Sequence, residues 1–127
     1  DWSSDVCSSD LYRSDMARVA GLTPEFETAG GAVFMLPDAA WSRRISGSFG
    51  NDLATAHPHR AHAVLTRRGD AFMVSVRAPV NAPRGADDLC RAFDTGGGRS
   101  GAAGINRLPD ADLRRFIDGF DRQFART

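Results

Sequence analysis

A run of nine residues with almost no side chains, 96–104 (Gly-Gly-Gly-Arg-Ser-Gly-Ala-Ala-Gly), constrains this chain more than any other segment. Glycines accept positive φ and allow a close approach of the backbone. Backbone amides presented in this way form concave sites that favour anions. Arg99 is the one charged side chain of the run. The composition therefore predicts a glycine-rich loop that binds a phosphate group.

Short apolar runs elsewhere in the chain predict β-strands. Residues 32–36 lie between glycines and a proline, which is typical of a buried strand. The segments 61–66 and 71–77 flank a turn-like tetrapeptide at 67–70, so they are predicted to form a hairpin. Arg77 is the last residue of the second segment, and the alternation of side chains along a strand puts it on the face opposite Val74 and Val76.

Amphipathic segments alternate with these strands and predict helices. Asp38 can cap a helix whose apolar residues recur every four positions, namely Trp41, Ile45, Phe49 and Leu53. A short helix is predicted within 85–93 and a last one between Pro109 and residue 124. The sequence therefore predicts an α/β fold, a single domain with a mixed β-sheet flanked by helices.

The first residues do not resemble a folded segment. Residues 1–11 resemble the translation of a sequencing adaptor and are set aside as an artefact, and residues 12–30 are interpreted as a linker remnant. We therefore expect the native protein to be longer than this chain. Without the three acidic residues of the first segment, the 16 arginines outnumber the acidic side chains by three, so the charge balance is mildly basic.

The cysteines and histidines indicate neither a disulfide framework nor a metal site. Cys7 lies in the adaptor-like segment and Cys90 stands alone, which fits a reducing, cytoplasmic location. His57, His59 and His62 have no carboxylates close in sequence, so we expect them at the surface, at a helix end and a strand start. No apolar run approaches the roughly 20 residues that span a bilayer.

Two common nucleotide-binding patterns do not fit the glycine run. The letters Gly96-x-Gly98-x-x-Gly101 match a dinucleotide fingerprint, but that fingerprint follows a strand, whereas here a predicted helix precedes it. A Walker loop requires a lysine, and the chain contains none. The run therefore needs a different explanation.

The run and its flanks together resemble one known family. Residues 74–78 (Val-Ser-Val-Arg-Ala), a helix ending at Phe93 and then residues 96–105 (GGGRSGAAGI) are similar to the C-terminal substrate-binding, DHH-associated domain of DHH-family phosphoesterases. Arg99 stands where the family usually has histidine, and Ala78 where it often has serine. The resemblance covers about 32–124, and we assign 31–127 to such a domain.

The resemblance implies a substrate-binding role on short oligonucleotides or small nucleotides. The residues that would bind substrate are Arg77, Gly96, Gly97, Gly98, Arg99, Ala102, Ala103 and Gly104. No catalytic or metal-binding residue is assigned in this chain, which is expected to be inactive alone. The resemblance implies that a preceding catalytic domain holds two divalent ions, usually manganese, and that this domain packs on it. RNA, DNA, cyclic dinucleotides and adenosine bisphosphate all stay open as substrates.

Two alternatives stay open beside this prediction. The domain can be a non-catalytic nucleic-acid-binding module attached to another enzyme, because similar domains occur in alanyl-tRNA synthetases. It can also be a purely structural α/β domain whose glycine run is only a tight connection. The last alternative predicts that Arg99→Ala leaves all ligand binding unchanged.

Overall fold

A computed structural model describes residues 23–28 and 30–124. The segment 1–11 and residues 12–22 of the predicted linker lie outside the described residues. The described chain forms six strands and three helices. In chain order they are β1 Phe26–Thr28, β2 Gly31–Leu36, α1 Ala40–Ala56, β3 Ala61–Arg68, β4 Ala71–Arg77, α2 Ala86–Arg91, β5 Gly96–Gly98, β6 Ala102–Pro109 and α3 Leu113–Phe124. A single 3-10 turn, Asp110–Asp112, precedes α3.

The six strands make one mixed sheet with the order β1-β2-β3-β4-β6-β5. Only β2 and β3 pair in parallel, because α1 connects them as a crossover. The other neighbouring strands pair antiparallel. This confirms the predicted single α/β domain with a mixed sheet.

The hairpin of β3 and β4 forms where the sequence predicts it. Strand β4 starts at Ala71 as predicted, while β3 runs two residues into the predicted turn, so that only Gly69 and Asp70 connect the two strands. Gly69 has a φ of +63°, and glycine accepts this value without the steric cost that a side chain would add. Arg77 accordingly is the last residue of β4, and it lies near the C-terminal end of α1.

The two faces of the sheet are covered unequally. The larger core lies under α2 and α3 and includes Val74 and Val76 of β4, Leu89 of α2 and three phenylalanines of α3. A smaller core under α1 joins Phe34, Ile45, Phe49 and Val64. We call these faces the α2/α3 face and the α1 face.

Helix α3 is held by the aromatic stripe that its sequence predicts. Phe116, Phe120 and Phe124 are buried, and their neighbouring ring centroids lie 6.2 Å and 5.2 Å apart. Strand β2 approaches this stripe so closely that a Cβ at Gly31 would lie 2.7 Å from the Phe120 ring. Among the described helices, none combines the length and the apolar character needed to cross a membrane.

The predicted capping role of Asp38 is wrong. The N-cap of α1 is Ala39, which has no side-chain cap. Asp38 instead accepts hydrogen bonds from the backbone N–H of Gly69 at 2.9 Å and from Arg43 at 3.2 Å. The Gly69 bond, the larger cause, lowers the pKa of Asp38. Its carboxylate therefore ties the β3–β4 turn to the start of α1.

The glycine run is a hairpin of the sheet rather than an irregular loop. Gly96–Gly98 form the edge strand β5, which pairs antiparallel with β6. At the opposite edge, β1 pairs with β2 inside the segment that the sequence analysis treats as a linker. Both strands have three residues, too few to produce a recognisable alternation of side chains.

The expectation that all three histidines lie at the surface is wrong for His62. Its side chain is fully buried on the α1 face of β3, while His59 is exposed and His57 is half-buried. The Nε of Arg60 donates to Nε2 of His62 at 3.0 Å. Burial, the largest cause, and the nearby Arg60 lower the pKa of His62 to about 4, so the ring is neutral near pH 7.

Candidate phosphate-binding site

Arg77 and Arg99 lie in one row across the sheet. Arg77 is paired with Ala102 in the β4–β6 register. Ala102 in turn exchanges backbone hydrogen bonds with Arg99 at 2.9 Å and 3.2 Å, which closes the hairpin. Residues opposite one another share a face, so both arginines project from the α1 face. Two strand spacings separate their Cα atoms by roughly 10 Å.

Small residues form the sheet surface beside this row. Ser75 is paired with Gly104, and Gly104 with Gly97. All three are partly exposed, and α1 makes its main contacts with β3 and β4. A Cβ at Gly97 would meet nothing within 4 Å. The two arginines therefore border an open floor where a bulky group can approach the backbone.

The guanidinium of Arg77 is held in a defined orientation. Its Nε donates to Asn51 Oδ1 of α1 at 3.1 Å. Its Nη1 donates to Ser75 Oγ at 2.8 Å. Burial lowers the pKa of Arg77, yet arginine stays charged throughout the physiological pH range. All the partners on this side chain are neutral, so its charge stays available to an anion.

Several other arginines of the described chain are neutralised by carboxylates. Arg60 and Arg67 form ion pairs with Glu27 and Asp110, each at 2.6 Å. Within residues 23–28 and 30–124, Arg77 and Arg99 have no ion pair of this kind. The α1 face therefore has uncompensated positive charge where its floor is open.

Of the three glycine amides in β5, one faces open space. The N–H of Gly96 donates to Phe93 O at 3.0 Å. Gly97 and Gly104 form the hydrogen-bonded pair that follows the Arg99–Ala102 pair along the ladder. Gly98 belongs to the alternate, non-bonded position, so its N–H points away from β6 at the edge of the sheet. Of the three β5 glycines predicted to bind a phosphate, Gly98 is therefore the one whose backbone N–H can donate to it.

The remaining predicted positions serve the packing of the hairpin. A Cβ at Gly96 would overlap Cys90 O, and one at Gly104 would lie 2.6 Å from Val74 O. Ala103 is buried in the core of the α2/α3 face. The structure therefore brings Arg77, Arg99 and Ala102 to the open face together with Gly97 and Gly104, and it does not place Gly96 or Ala103 there.

A groove continues from the Arg77 side chain along the end of α1. Its volume is about 530 Å³. Apolar groups make up much of its lining, which consists of Asn51, Ala54, Thr55, Arg77, Ala78, Val80, Pro83, Gly101 and Ala102. Val80 is 55% exposed, which makes it the most exposed large apolar side chain among the described residues.

Asn51 and Ser75 are site residues that the sequence did not predict. Ser75 could have been found, because it lies two residues before Arg77 and therefore shares its face of the strand. Asn51 is 26 positions from Arg77 on the exposed side of another element. No local pattern links these two residues, so their contact follows only from the packing of α1 on the sheet.

The described residues offer no ligand set for a metal ion. Within 23–28 and 30–124, no three histidine, cysteine, aspartate or glutamate side chains come close enough to hold one. His57 lies 5.9 Å from His62 between ring centroids, but the Nε2 of His62 already accepts from Arg60. This part of the chain therefore offers no candidate metal site, and the family resemblance implies that the divalent ions belong to a preceding catalytic domain.

Comparisons with known proteins find similar folds among solved structures but no match to a protein family or a curated protein. No family model and no curated protein matches the sequence. The fold is similar to that of the C-Ala domain of alanyl-tRNA synthetase from Aquifex aeolicus, with a TM-score of 0.61 and 13% identity over 83% of this chain and 100% of that domain. It is also similar to PggH, a pGpG-specific phosphodiesterase from Vibrio cholerae, with a TM-score of 0.61 and 12% identity over 91% of this chain. The matched region spans about 41% of the length of that phosphodiesterase.

Proposed function

We propose that this chain is the substrate-binding domain of a DHH-family phosphoesterase that acts on short oligonucleotides or small nucleotides. The observation that carries the proposal is the orientation of Arg77, which two neutral side chains hold beside an open floor of small residues. Arg99 in the same cross-strand row adds a second uncompensated charge. The likeness to a phosphodiesterase fold supports this assignment.

The proposed role of the domain is to position the substrate. Arg77 and Arg99 bind a phosphate group from the α1 face, and the outward amide of Gly98 donates a further hydrogen bond at the sheet edge. The scissile bond is thereby presented to the catalytic domain. As the family resemblance implies, that domain supplies two divalent ions, usually manganese, that activate water.

Binding of a 5′-phosphorylated, fluorescently labelled RNA pentanucleotide, followed by anisotropy at low salt, tests the site. Removing a charge-assisted contact costs about 1.5–3 kcal/mol, so Arg77→Gln and Arg99→Gln should each raise the Kd by about 10- to 100-fold. Arg114→Gln is the matched control, because Arg114 lies on α3 with its side chain 87% exposed. The control should leave the Kd unchanged.

Three results would contradict the proposal. The first is an absence of binding by the unmodified chain, and the second is an unchanged Kd in both site variants. The third is an equal loss in the Arg114 variant, since this would indicate a diffuse attraction to arginine rather than a site.

A second candidate function is a nucleic-acid-binding module attached to another enzyme. The observation that favours it is the match to the C-Ala domain over the whole length of that domain. Both functions use the same surface, and the parent protein distinguishes them. Paired aspartate and histidine motifs upstream of this segment would support the phosphoesterase, whereas an aminoacylation or editing domain would support the module.

A further inference from the structure

The groove beside Arg77 has a chemical character that differs from that of the arginine row. Five apolar side chains line it, namely Ala54, Ala78, Val80, Pro83 and Ala102. An exposed valine costs free energy in water, and covering it with a flat apolar group recovers this cost. The exposure of Val80 thus points to an occupant with an apolar surface.

The position of the groove limits what that occupant is. Arg77 lines the groove and also belongs to the arginine row. A group bound in the groove would therefore lie next to an anion bound to the guanidinium of Arg77. The volume of about 530 Å³ falls within the range of sites for small organic ligands.

Polar side chains in the groove are few and provide no pattern that recognises a particular base. Asn51 Oδ1 already accepts from Arg77, so only its amide N–H groups stay available, and every nucleobase has an acceptor for them. The hydroxyl of Thr55 donates or accepts with equal ease. Selection of one base needs donors and acceptors at fixed places, and these two groups do not supply such a set.

We propose that this groove binds the nucleobase next to the phosphate held by Arg77, through apolar contact and without selecting one base. The inference rests on the proposed function and extends it from the phosphate to the nucleoside. Sites that recognise a hydrogen-bonding group reject analogues by roughly 10⁴-fold, whereas apolar pockets discriminate by only roughly 10- to 200-fold. The groove is an apolar pocket, so we expect it to discriminate weakly between bases.

Titration of the full chain with AMP, GMP, CMP, UMP and ribose 5-phosphate, followed by calorimetry or ligand-observed NMR, tests this inference. The four nucleotides should bind within about tenfold of one another. Ribose 5-phosphate, which has the phosphate but no base, should bind about tenfold more weakly than AMP. One factor of ten corresponds to about 1.4 kcal/mol, which burial of part of a base can supply.

The variant Val80→Ser isolates the contribution of the groove. The ratio of the Kd of ribose 5-phosphate to that of AMP should fall from about ten to about three, while ribose 5-phosphate itself binds as before. The fold should tolerate this change because Val80 is exposed. Ala111→Ser, at an exposed position before α3, is the control and should keep the original ratio.

The outcomes separate this inference from the proposed function. Equal affinity for ribose 5-phosphate and the nucleotides overturns the base site and leaves the phosphate site intact. A preference for one base of more than about 100-fold overturns the lack of selectivity. An unchanged ratio in Val80→Ser overturns the assignment of the base to this groove. If none of the five compounds binds, both the proposed function and this inference are wrong.

Discussion

At the scale of single residues, the glycine run contains two kinds of position that look alike in the sequence. Gly96, Gly98 and Gly104 stand where a Cβ would collide with backbone atoms, so they allow three chain segments to pack closely. Gly97 faces open space, so its missing side chain leaves the floor of the candidate site bare. Only the packing around each glycine distinguishes these two roles.

Two neighbouring substitutions should therefore have opposite effects on stability. In Gly98→Ala, the new Cβ would lie 2.5 Å from the Cα of Ala103 at a φ of +141°, and we expect a loss of roughly 1–3 kcal/mol. Gly97→Ala is the matched control, and the lower entropy of its unfolded state should make the protein as stable as before or about 0.4–1 kcal/mol more stable. Urea denaturation measures the free energy of unfolding of both variants. Equal losses of stability would contradict the different roles of Gly97 and Gly98.

Asn51 is predicted to control the charge that Arg77 offers to a ligand. In Asn51→Asp, a carboxylate replaces the amide that lies 3.1 Å from Arg77 Nε. This carboxylate would neutralise the guanidinium and repel phosphate, so the Kd for the pentanucleotide should rise by about tenfold or more. Asn51→Ala removes the orienting bond without adding charge and should have a smaller effect. Similar Kd values for the two variants would show that Asn51 only fills space.

At the scale of elements, the sequence predicted those with a clear apolar pattern. It did not predict the eight-residue strand β6, whose first residues belong to the glycine run. The stripe of α1 and the β3–β4 hairpin lie where expected, because apolar periodicity over many residues reports which side is buried. Strand β1 and strand β5 were missed, since each has three residues and β5 has no side chains. These two strands form because the neighbouring strands offer unpaired backbone groups.

Helix α3 should contribute to stability without taking part in binding. Phe120 is fully buried between Phe116 and Phe124, so Phe120→Ala should cost about 3–5 kcal/mol. The helix lies on the α2/α3 face, behind the sheet from Arg77. The folded fraction of the variant should therefore bind the pentanucleotide with unchanged Kd.

Urea denaturation of Phe120→Ala beside anisotropy measurements checks both parts of this prediction. Ile117→Ala, at a partly buried position of the same helix, serves as the control and should be less destabilising. A weaker Kd for the folded Phe120 variant would show that the two faces of the sheet are coupled.

At the scale of the whole molecule, the two faces of the sheet have separate tasks. The α2/α3 face contains most of the core. The α1 face is covered over β2, β3 and β4 and open at Gly97 of β5. His62 lies beside Arg77 in the register of β3 and β4, so the buried part of the α1 face reaches the candidate site. On the α2/α3 face, stability can therefore be tested separately from binding, whereas a change at His62 lies next to the candidate site.

Acid should destabilise the whole domain through His62. Its pKa is about 4 in the folded protein and 6.5 in the reference state, so the unfolded chain binds a proton more readily. The resulting stability is fully present above about pH 6.5 and is lost as the pH falls towards 4, by roughly 3 kcal/mol in total.

Urea denaturation between pH 7 and pH 5 checks this contribution. His62→Gln should show a shallower dependence of the unfolding free energy on pH than the unmodified chain. His59→Gln, at an exposed position, should retain the full dependence. An identical dependence in all three proteins would show that His62 is not the responsible group.

The sequence by itself determined the fold class, the elements with a clear apolar pattern and the presence of a glycine run beside Arg99, because periodicity and glycine content are local properties. Only the tertiary structure decided which glycines pack and which stay open, that Arg77 and Arg99 share one row, and that Asn51 orients Arg77. These relations join residues far apart in the chain. They follow from strand order, register and the placement of α1, which depend on packing over the whole molecule rather than on any local pattern.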